Sequence, residues 1–509
     1  MNLKYALTGV AIVAASQVSY AQSVFSSDAF RFSQTQTGAT SRIKAIGGAS
    51  TAVGGDLSSV SGNPAGLGFF TKSELSVTPE FDNSQVNSSY FGQNNYSGKN
   101  QVNLNNASVL FYNRLSTARG QDKTKGWLSF NLGASYNRTN NFYRNEYYSG
   151  VNPNGSISDY YAQEANRDNP GNTLGGLTNG TLQAWAQNQQ MIAFYNANAT
   201  TPQGYYSNVN SLNNNQSKST ISSGGQSEIS LSAGANYSNK LYIGFGIGIT
   251  DLRYNTSSTF NETGTASIFV NNSTTPSNSG FASQFYQDQA TIGTGFNAKV
   301  GFIYKPIEAV RIGASFTSPT WMTINDNYVE ALQTVYAQDP PAYTNGNNQP
   351  YQTTYNLRTP LKASGGVAVF VGKYGFISGD IEYVDYKGMH LGGDYVGNTQ
   401  DNFNLSTLYK STVNARIGAE AKLEDFFLRG GFNYQGNPEV GIGGPVKTSS
   451  AGIGYRFGKY YIDATYQYVM HNTTVYPYEF DPTIINAASP QANLKNTYNN
   501  AFLTLGMRF

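Results

Sequence analysis

The stretch KLYIGFGIGITDLRY, Lys240–Tyr254, alternates between large apolar residues and small ones. Ile243, Phe245, Ile247 and Ile249 would share one face of an extended chain, whereas glycines and a threonine would form most of the other. Successive side chains of a β-strand point to opposite faces, so this period of two predicts a strand with one apolar face. The question is what the apolar face touches.

Fourteen segments of this kind occur along the chain, an even number, as in the barrels of bacterial outer membranes. Mostly short connections alternate with long ones, the longest being 139–225, which is typical of outer-membrane barrels with short periplasmic turns and long external loops. In a soluble sandwich the apolar faces would instead pack on a second sheet. We therefore expect an all-β fold, a fourteen-stranded antiparallel transmembrane β-barrel. The predicted strands are 72–82, 104–114, 126–138, 226–237, 240–254, 289–304, 307–319, 355–371, 373–387, 409–422, 424–435, 446–457, 459–470 and 497–509.

The first 21 residues have the pattern of a secretory signal peptide. Lys4 precedes an apolar run over 5–15. Ser19 and Ala21 occupy the positions that a signal peptidase recognises, which predicts cleavage before Gln22. The run is shorter than the roughly 20 residues that cross a bilayer as a helix. The sequence thus predicts export, and no later window offers a transmembrane helix.

Composition excludes several other classes of protein. The 32 Lys and Arg nearly balance the 30 Asp and Glu, which argues against a nucleic-acid partner. Cysteine is absent, so the chain has no disulfide framework, thiolate nucleophile or cysteine-ligated metal site. Aromatic residues make up 14% of a chain whose mean hydropathy is −0.41, a mixture that suits a wall with one polar and one apolar face.

The chain ends in AFLTLGMRF, which alternates to the last residue, Phe509. This resembles the final strand of bacterial outer-membrane proteins, in which a terminal Phe is part of the assembly signal. The resemblance implies location in the outer membrane of a Gram-negative bacterium, contact with its lipid, and recognition by the outer-membrane assembly machinery.

A second resemblance lies ahead of the first strand, in IGGASTAVGGDLSSVSGNPAGLGFF, Ile46–Phe70. This segment resembles the N-terminal hatch of the FadL family of outer-membrane transporters. The resemblance implies that 22–70 form a hatch with short helices inside a barrel of 71–509, and that the hatch motif takes part in gating. Pro64 also restricts Asn63 to an extended conformation, so a helix cannot continue through this turn. The matching residues are Gly47, Gly48, Ala49, Ala52, Asp56, Asn63, Pro64, Ala65, Gly66 and Leu67, and the gating motif comprises Gly47, Gly48, Asp56, Asn63, Pro64, Ala65 and Gly66.

Charged residues on the strands indicate which face is internal. An Arg or Lys on the lipid face costs about 2–4 kcal/mol at the membrane midplane, so such residues are expected inside. We expect them to hold wall and hatch together. The predicted network comprises Asp380, Glu382, Arg416, Glu420, Arg429 and Asp463.

The FadL resemblance implies passive transport of long-chain fatty acids or other hydrophobic small molecules, with lateral exit into the membrane and no cofactor. It places the lateral opening at strand 126–138. Aromatic residues of the long loops would contact the cargo, although the same residues suit an interfacial girdle or a loop core. The candidates are Phe142, Tyr143, Trp185, Trp321 and Met322.

Enzymatic functions have little support in the sequence. The only histidines, His390 and His471, have no Ser-His-Asp or metal-binding spacing around them, so we expect no catalytic or metal site. Two other functions stay open. A haem-uptake receptor would need an axial ligand such as His390, His471 or a loop tyrosine, and a scaffold barrel would bind a secreted protein.

Overall fold

The computed structural model describes residues 24–36, 38–116, 120, 122–169, 171, 173–197, 202–270, 273–339, 342–347, 349–395, 397–481, 485 and 487–509. The expected signal peptide, 1–21, lies outside the described residues.

The described strands form a closed antiparallel barrel of fourteen wall strands, and each of the fourteen predicted segments overlaps one of them. The last strand closes on the first, with Leu75 opposite Met507. Four wall strands are interrupted and carry two labels each, namely β3 with β4, β10 with β11, β13 with β14, and β15 with β16. The strands are β1 (Glu74–Tyr90), β2 (Gln93–Phe111), β3 (Trp127–Asn141), β4 (Arg144–Asn152), β5 (Ile192–Tyr195), β6 (Gly204–Ser207), β7 (Asn214–Tyr237), β8 (Leu241–Ile268), β9 (Ser277–Ile307), β10 (Val310–Thr317), β11 (Trp321–Tyr336), β12 (Tyr343–Gly346), β13 (Tyr351–Arg358), β14 (Lys362–Val371), β15 (Gly375–Val384), β16 (His390–Gly392), β17 (Thr412–Leu423), β18 (Phe426–Gln435), β19 (Val446–Phe457), β20 (Tyr460–Val475) and β21 (Ala492–Arg508).

The apolar face of the alternating strands points outward. Ile243, Phe245, Ile247 and Ile249 of β8 are all more than 40% exposed. Similar residues on neighbouring strands, such as Phe302, continue this surface around the wall. A continuous apolar outer surface is what a barrel presents to lipid, so the alternation fixes the inside and the outside of the wall.

Three consecutive strands are much longer than a bilayer requires. β7, β8 and β9 contain 24, 28 and 31 residues, whereas about 9–11 residues of a tilted strand cross the membrane. Their upper parts therefore project beyond it. There they support the 139–225 insert, whose described residues form β4, two helices and the β5–β6 hairpin rather than an open loop. We call this insert the cap.

Five α-helices accompany the described strands, and short 3-10 turns complete the secondary structure. None of the described helices combines the length and the apolar character needed to cross a bilayer. The helices are α1 (Val24–Ser33), α2 (Ser41–Ala45), α3 (Ile157–Asp168), α4 (Leu182–Asn188) and α5 (Asn398–Leu408), and the 3-10 turns are Leu57–Val60, Pro64–Phe69 and Tyr386–Gly388.

Candidate functional site: plug, aromatic chamber and wall slit

The described residues ahead of β1, 24–36 and 38–70, lie inside the barrel and are called the plug. The backbone N–H of Ser41 donates to Thr504 of β21 at 2.7 Å, and Ser450 of β19 donates to the carbonyl of Ala45 at 3.0 Å. On another side of the bore, Ser232 of β7 donates to the plug. The plug is thus held by strands around the circumference of the wall.

Asn63 ties the end of the plug to the wall. Its side-chain nitrogen donates to the carbonyl of Thr51 at 2.7 Å and lies 3.3 Å from the carbonyl oxygens of Phe302 and Ala314. Its side-chain oxygen accepts the backbone N–H of Ala65 at 3.1 Å, which forms an Asx-type turn. One amide side chain therefore joins its own turn, an earlier part of the plug and two wall strands.

Wall glycines make room for this turn. A Cβ added to Gly301 would lie 1.9 Å from the side-chain oxygen of Asn63. A Cβ at Gly244 would lie 2.2 Å from the carbonyl carbon of Pro64. Sequence reasoning did not assign these two glycines to the site. The available signal was the run of glycines on the inward face of the 240–254 segment, which marks a close backbone approach.

Gly47 and Gly48 form a sharp turn against β18. Both have positive φ angles, +66° and +80°, which glycine adopts without strain. A Cβ at Gly47 would lie 2.8 Å from the backbone nitrogen of Phe432. The first glycines of the motif thus allow the plug to touch the wall backbone.

The remaining motif residues hold the plug together internally. Asp56 accepts hydrogen bonds from the Thr40 hydroxyl at 2.8 Å and from the backbone N–H of Ser58 at 2.9 Å. The carbonyl of Gly66 accepts the backbone N–H of Gly55 at 3.1 Å, and Ala65 is fully buried. These contacts connect the start, the middle and the end of the plug.

The charged residues predicted for the bore lie on the inner face. Arg429 donates to Glu420 at 2.7 Å and to Asp463 at 2.6 Å, and its side chain is fully buried. Arg42 of the plug also donates to Glu420, at 2.8 and 3.0 Å. Removing one partner of such a buried pair leaves an uncompensated charge, so the network fixes the plug against three strands.

The other three predicted charges lie beside this network. Arg416 donates to Glu382 at 2.6 Å, and Asp380 accepts the backbone N–H of Thr51 at 2.8 Å. Hydrogen bonds and an ion pair between wall and plug therefore hold the plug across the bore.

Above the plug turns, α1 fills an aromatic chamber. The ring centroid of Phe32 lies 5.8 Å from that of Phe142 and 5.7 Å from that of Tyr254, and Phe30 stacks on Tyr409 at 4.5 Å. Such pairs add to the stabilisation that burial provides. The buried residues that define the chamber are Ala29, Phe32, Phe142, Leu252, Tyr254, Met322, Ile324, Tyr355, Leu357, Met389, Leu391, Leu405 and Tyr409.

One acidic residue of α1 is buried beside the chamber. Asp28 is 1% exposed, pairs with Arg31, and accepts a hydrogen bond from Gln289 at 2.6 Å. Burial raises the pKa of Asp28 to about 6, against the lowering effect of Arg31. Gln289 also donates to Asp326 at 3.0 Å, so the amide joins two carboxylates.

The wall has a slit beside the chamber. Residues 106–111 of β2 pair with residues 132–137 of β3. The preceding part of β2, 93–105, forms no backbone ladder with β3 or β4 among the described residues. Beyond that point β3 turns toward the plug, where the carbonyl of Thr139 accepts the N–H of Gln36 at 2.8 Å. We call the gap between 100–105 and 138–141 the slit. It begins at the upper end of the 126–138 segment.

A polar cavity of about 230 Å³ connects the plug to the slit. Gln36 of the plug and Asn105 at the slit both line it. A larger depression, of about 800 Å³, lies on the outer face near Phe81 and Leu428, where it faces lipid rather than the bore.

The five residues predicted to contact cargo lie in four different places. Phe142 and Met322 are buried in the chamber. Tyr143 lies near the slit, under the ammonium of Lys99 at 5.1 Å. Trp185 is buried in the core of the cap, and Trp321 is 44% exposed on the outer wall. The chamber thus brings together two of them.

The two histidines lie apart. His390 is exposed on the outer face beside Trp321, whereas His471 lines the polar cavity inside. Among the residues that the structure describes, no group of three His, Asp or Glu side chains is placed to hold a metal ion.

No protein-family model and no curated protein matches the sequence. Solved structures do match. The toluene transporter TodX of P. putida superimposes with a TM-score of 0.52 at 12% identity, covering 94% of this chain and 99% of that one. The deltaS2 mutant of the TodX monoaromatic hydrocarbon channel gives 0.51 at 12% identity, with 93% and 99% covered. A Pseudomonas aeruginosa FadL homologue gives 0.49 at 13% identity, with 93% and 98% covered. The chain therefore shares the fold of the TodX channel, a fourteen-stranded barrel with its own N-terminal segment inside as a plug.

Proposed function

We propose that the protein is an outer-membrane channel through which hydrophobic small molecules diffuse passively and leave sideways into the membrane. The observation that carries this proposal is the position of the aromatic chamber directly beside the slit. Phe142 of the chamber immediately follows Asn141, which lies at the edge of the slit. An apolar binding surface thus adjoins the interrupted part of the wall.

The energetics favour a sideways route over an axial one. Movement along the axis would have to break the buried contacts that Arg42, Thr51 and Asn63 of the plug make with the wall, each of which leaves an unpaired polar group behind. At the slit the backbone ladder is already absent. Each methylene of a cargo gains about 0.8 kcal/mol on burial, so a long chain that leaves through the slit would gain free energy on entering the lipid.

The cargo class in this proposal is long-chain fatty acids or other hydrophobic compounds. The fold is shared with a protein described as a toluene transporter. The continuous apolar outer surface of the wall supports location in the outer membrane. There the assembly machinery would recognise Phe509 at the end of the last strand.

Flux of labelled oleate into proteoliposomes tests the function. The folded wild-type barrel should accelerate uptake over protein-free vesicles. Asn63→Ala should change that rate, because the plug turn loses its contacts with two wall strands. The matched control is Asn255→Ala, an exposed asparagine on β8. A barrel that is heat-modifiable, and therefore folded, but carries no oleate would contradict the proposal.

A further inference from the structure

The rim of the slit is polar, and it contains buried polar atoms without partners. Asp82 of β1 is 2% exposed, and one of its carboxylate oxygens, Oδ1, has no hydrogen-bond partner among the described residues. The same holds for Nε of Arg138 on β3. Both residues line the polar cavity of about 230 Å³. A buried polar atom without a partner costs about 1–3 kcal/mol, so this site favours a ligand that satisfies both atoms.

One side chain holds these two groups next to each other. The side-chain nitrogen of Asn141 donates to Oδ2 of Asp82, and the side-chain oxygen of Asn141 accepts from Nη2 of Arg138 at 3.3 Å. Gln101 also donates to Oδ2 of Asp82, at 3.4 Å. Oδ2 of Asp82 and Nη2 of Arg138 thus bond to the same amide, whereas Oδ1 of Asp82 and Nε of Arg138 have no partner among the described residues.

The free pair selects a particular chemistry. Oδ1 of Asp82 accepts hydrogen bonds and Nε of Arg138 donates one. A hydroxyl group does both at once, since its hydrogen can bond to the carboxylate while its lone pair accepts from the guanidinium. An ionised carboxylate has no hydrogen to donate to Asp82, and an ammonium has no lone pair for Arg138. A hydrocarbon offers neither and would leave both atoms unpaired.

We propose that the slit is a recognition site for the hydroxyl group of an amphipathic alcohol or phenol, held between Asp82 and Arg138, so that this channel prefers hydroxylated cargo to plain hydrocarbon. The inference rests on the proposed channel function and names the cargo class. The cavity of about 230 Å³ is large enough for a polar head and its first carbons. The apolar tail would extend into the chamber or out into lipid.

Competition binding tests the proposal on the full-length barrel in amphipol. Tritiated 1-dodecanol is the probe, read by scintillation proximity, and the unlabelled competitors are 1-dodecanol, dodecane and dodecanoate. In the wild type we expect 1-dodecanol to compete about 10-fold better than the other two, the factor expected from one satisfied buried pair.

Variants separate recognition by the pair from general apolar binding. Asp82→Ala and Arg138→Met should each reduce the preference for dodecanol over dodecane to about 2-fold or less, while dodecane still competes. Asp122→Asn, in an exposed turn, should keep the full preference. Equal competition by dodecane and dodecanol in the wild type would overturn the hydroxyl preference and leave the channel function standing. Absence of binding by every probe to the folded barrel would overturn both.

Discussion

At the scale of single residues, the plug depends on the absence of side chains as much as on their presence. Asn63 forms its contacts with two wall strands because glycines leave space at the wall opposite the turn. The sequence shows an Asn-Pro turn and, far along the chain, glycines in alternating strands. It does not show that Gly301 and Asn63 meet. Sequence analysis identified the asparagine and missed its glycine partner.

Gly301→Ala should displace the plug turn, because the new methyl group would overlap the side-chain oxygen of Asn63. Overpacking of this kind costs about 1–3 kcal/mol. We expect a raised ion conductance in planar bilayers and unfolding at a lower urea concentration. The matched control is Gly365→Ala on β14, where a Cβ meets nothing within 4 Å. If both variants behaved like the wild type, the contact would not hold the turn.

At the scale of elements, the strands and the short helices of the hatch were predictable, whereas the contacts of the interior helix were not. Alternation located every wall strand, because each strand has lipid on one side and the bore on the other. α1 precedes the stretch that resembles the hatch, and nothing in its sequence indicates that Phe30 and Phe32 each meet aromatic side chains from distant parts of the chain. Only closure of the barrel brings those rings together.

Phe32→Ala should undock α1 from the chamber. The ring is fully buried, and truncating such a phenylalanine costs about 3–5 kcal/mol. Because the chain has no cysteine, Ala29→Cys provides a single buried reporter on the same helix. Maleimide labelling of that cysteine should accelerate about 100-fold in the Phe32→Ala background. Phe111→Ala, on the lipid-facing surface, should leave the labelling rate unchanged. Equal labelling rates in all backgrounds would show that Phe32 does not hold the helix.

At the scale of the whole molecule, the 139–225 insert is a structured cap rather than an open capture loop. Its helices pack on the upper parts of the long strands, with Trp185 and Tyr161 in one core with Phe260 and Phe285. The cap is tied to the rest of the barrel by Gln216, which accepts from Tyr90 at 2.5 Å and donates to Tyr478 at 2.9 Å. In the proposed channel, cargo arriving from outside would therefore have to pass a packed cap before it reached the chamber.

Trp185→Ala should loosen the cap without unfolding the barrel. Trp185 is 4% exposed, and its truncation leaves a cavity in the cap core that costs about 3–5 kcal/mol. Hydrogen exchange over α3, Ile157–Asp168, should accelerate strongly while exchange in β17–β21 stays slow. Trp127→Ala, 48% exposed at the rim, serves as the control. Faster exchange throughout the barrel would mean that cap and wall unfold as one unit.

The sequence by itself determined the fold class, the number of wall strands, the inward placement of the charges and the presence of a plug turn. These features follow from local patterns, because periodicity and turn residues act over a few positions along the chain. The tertiary structure alone decided where the wall is interrupted, which aromatic residues form the chamber, and which polar atoms at the slit are left without partners. Those features depend on contacts between residues such as Asp82 and Asn141, 59 positions apart, which meet only when the strands that carry them assemble into one wall.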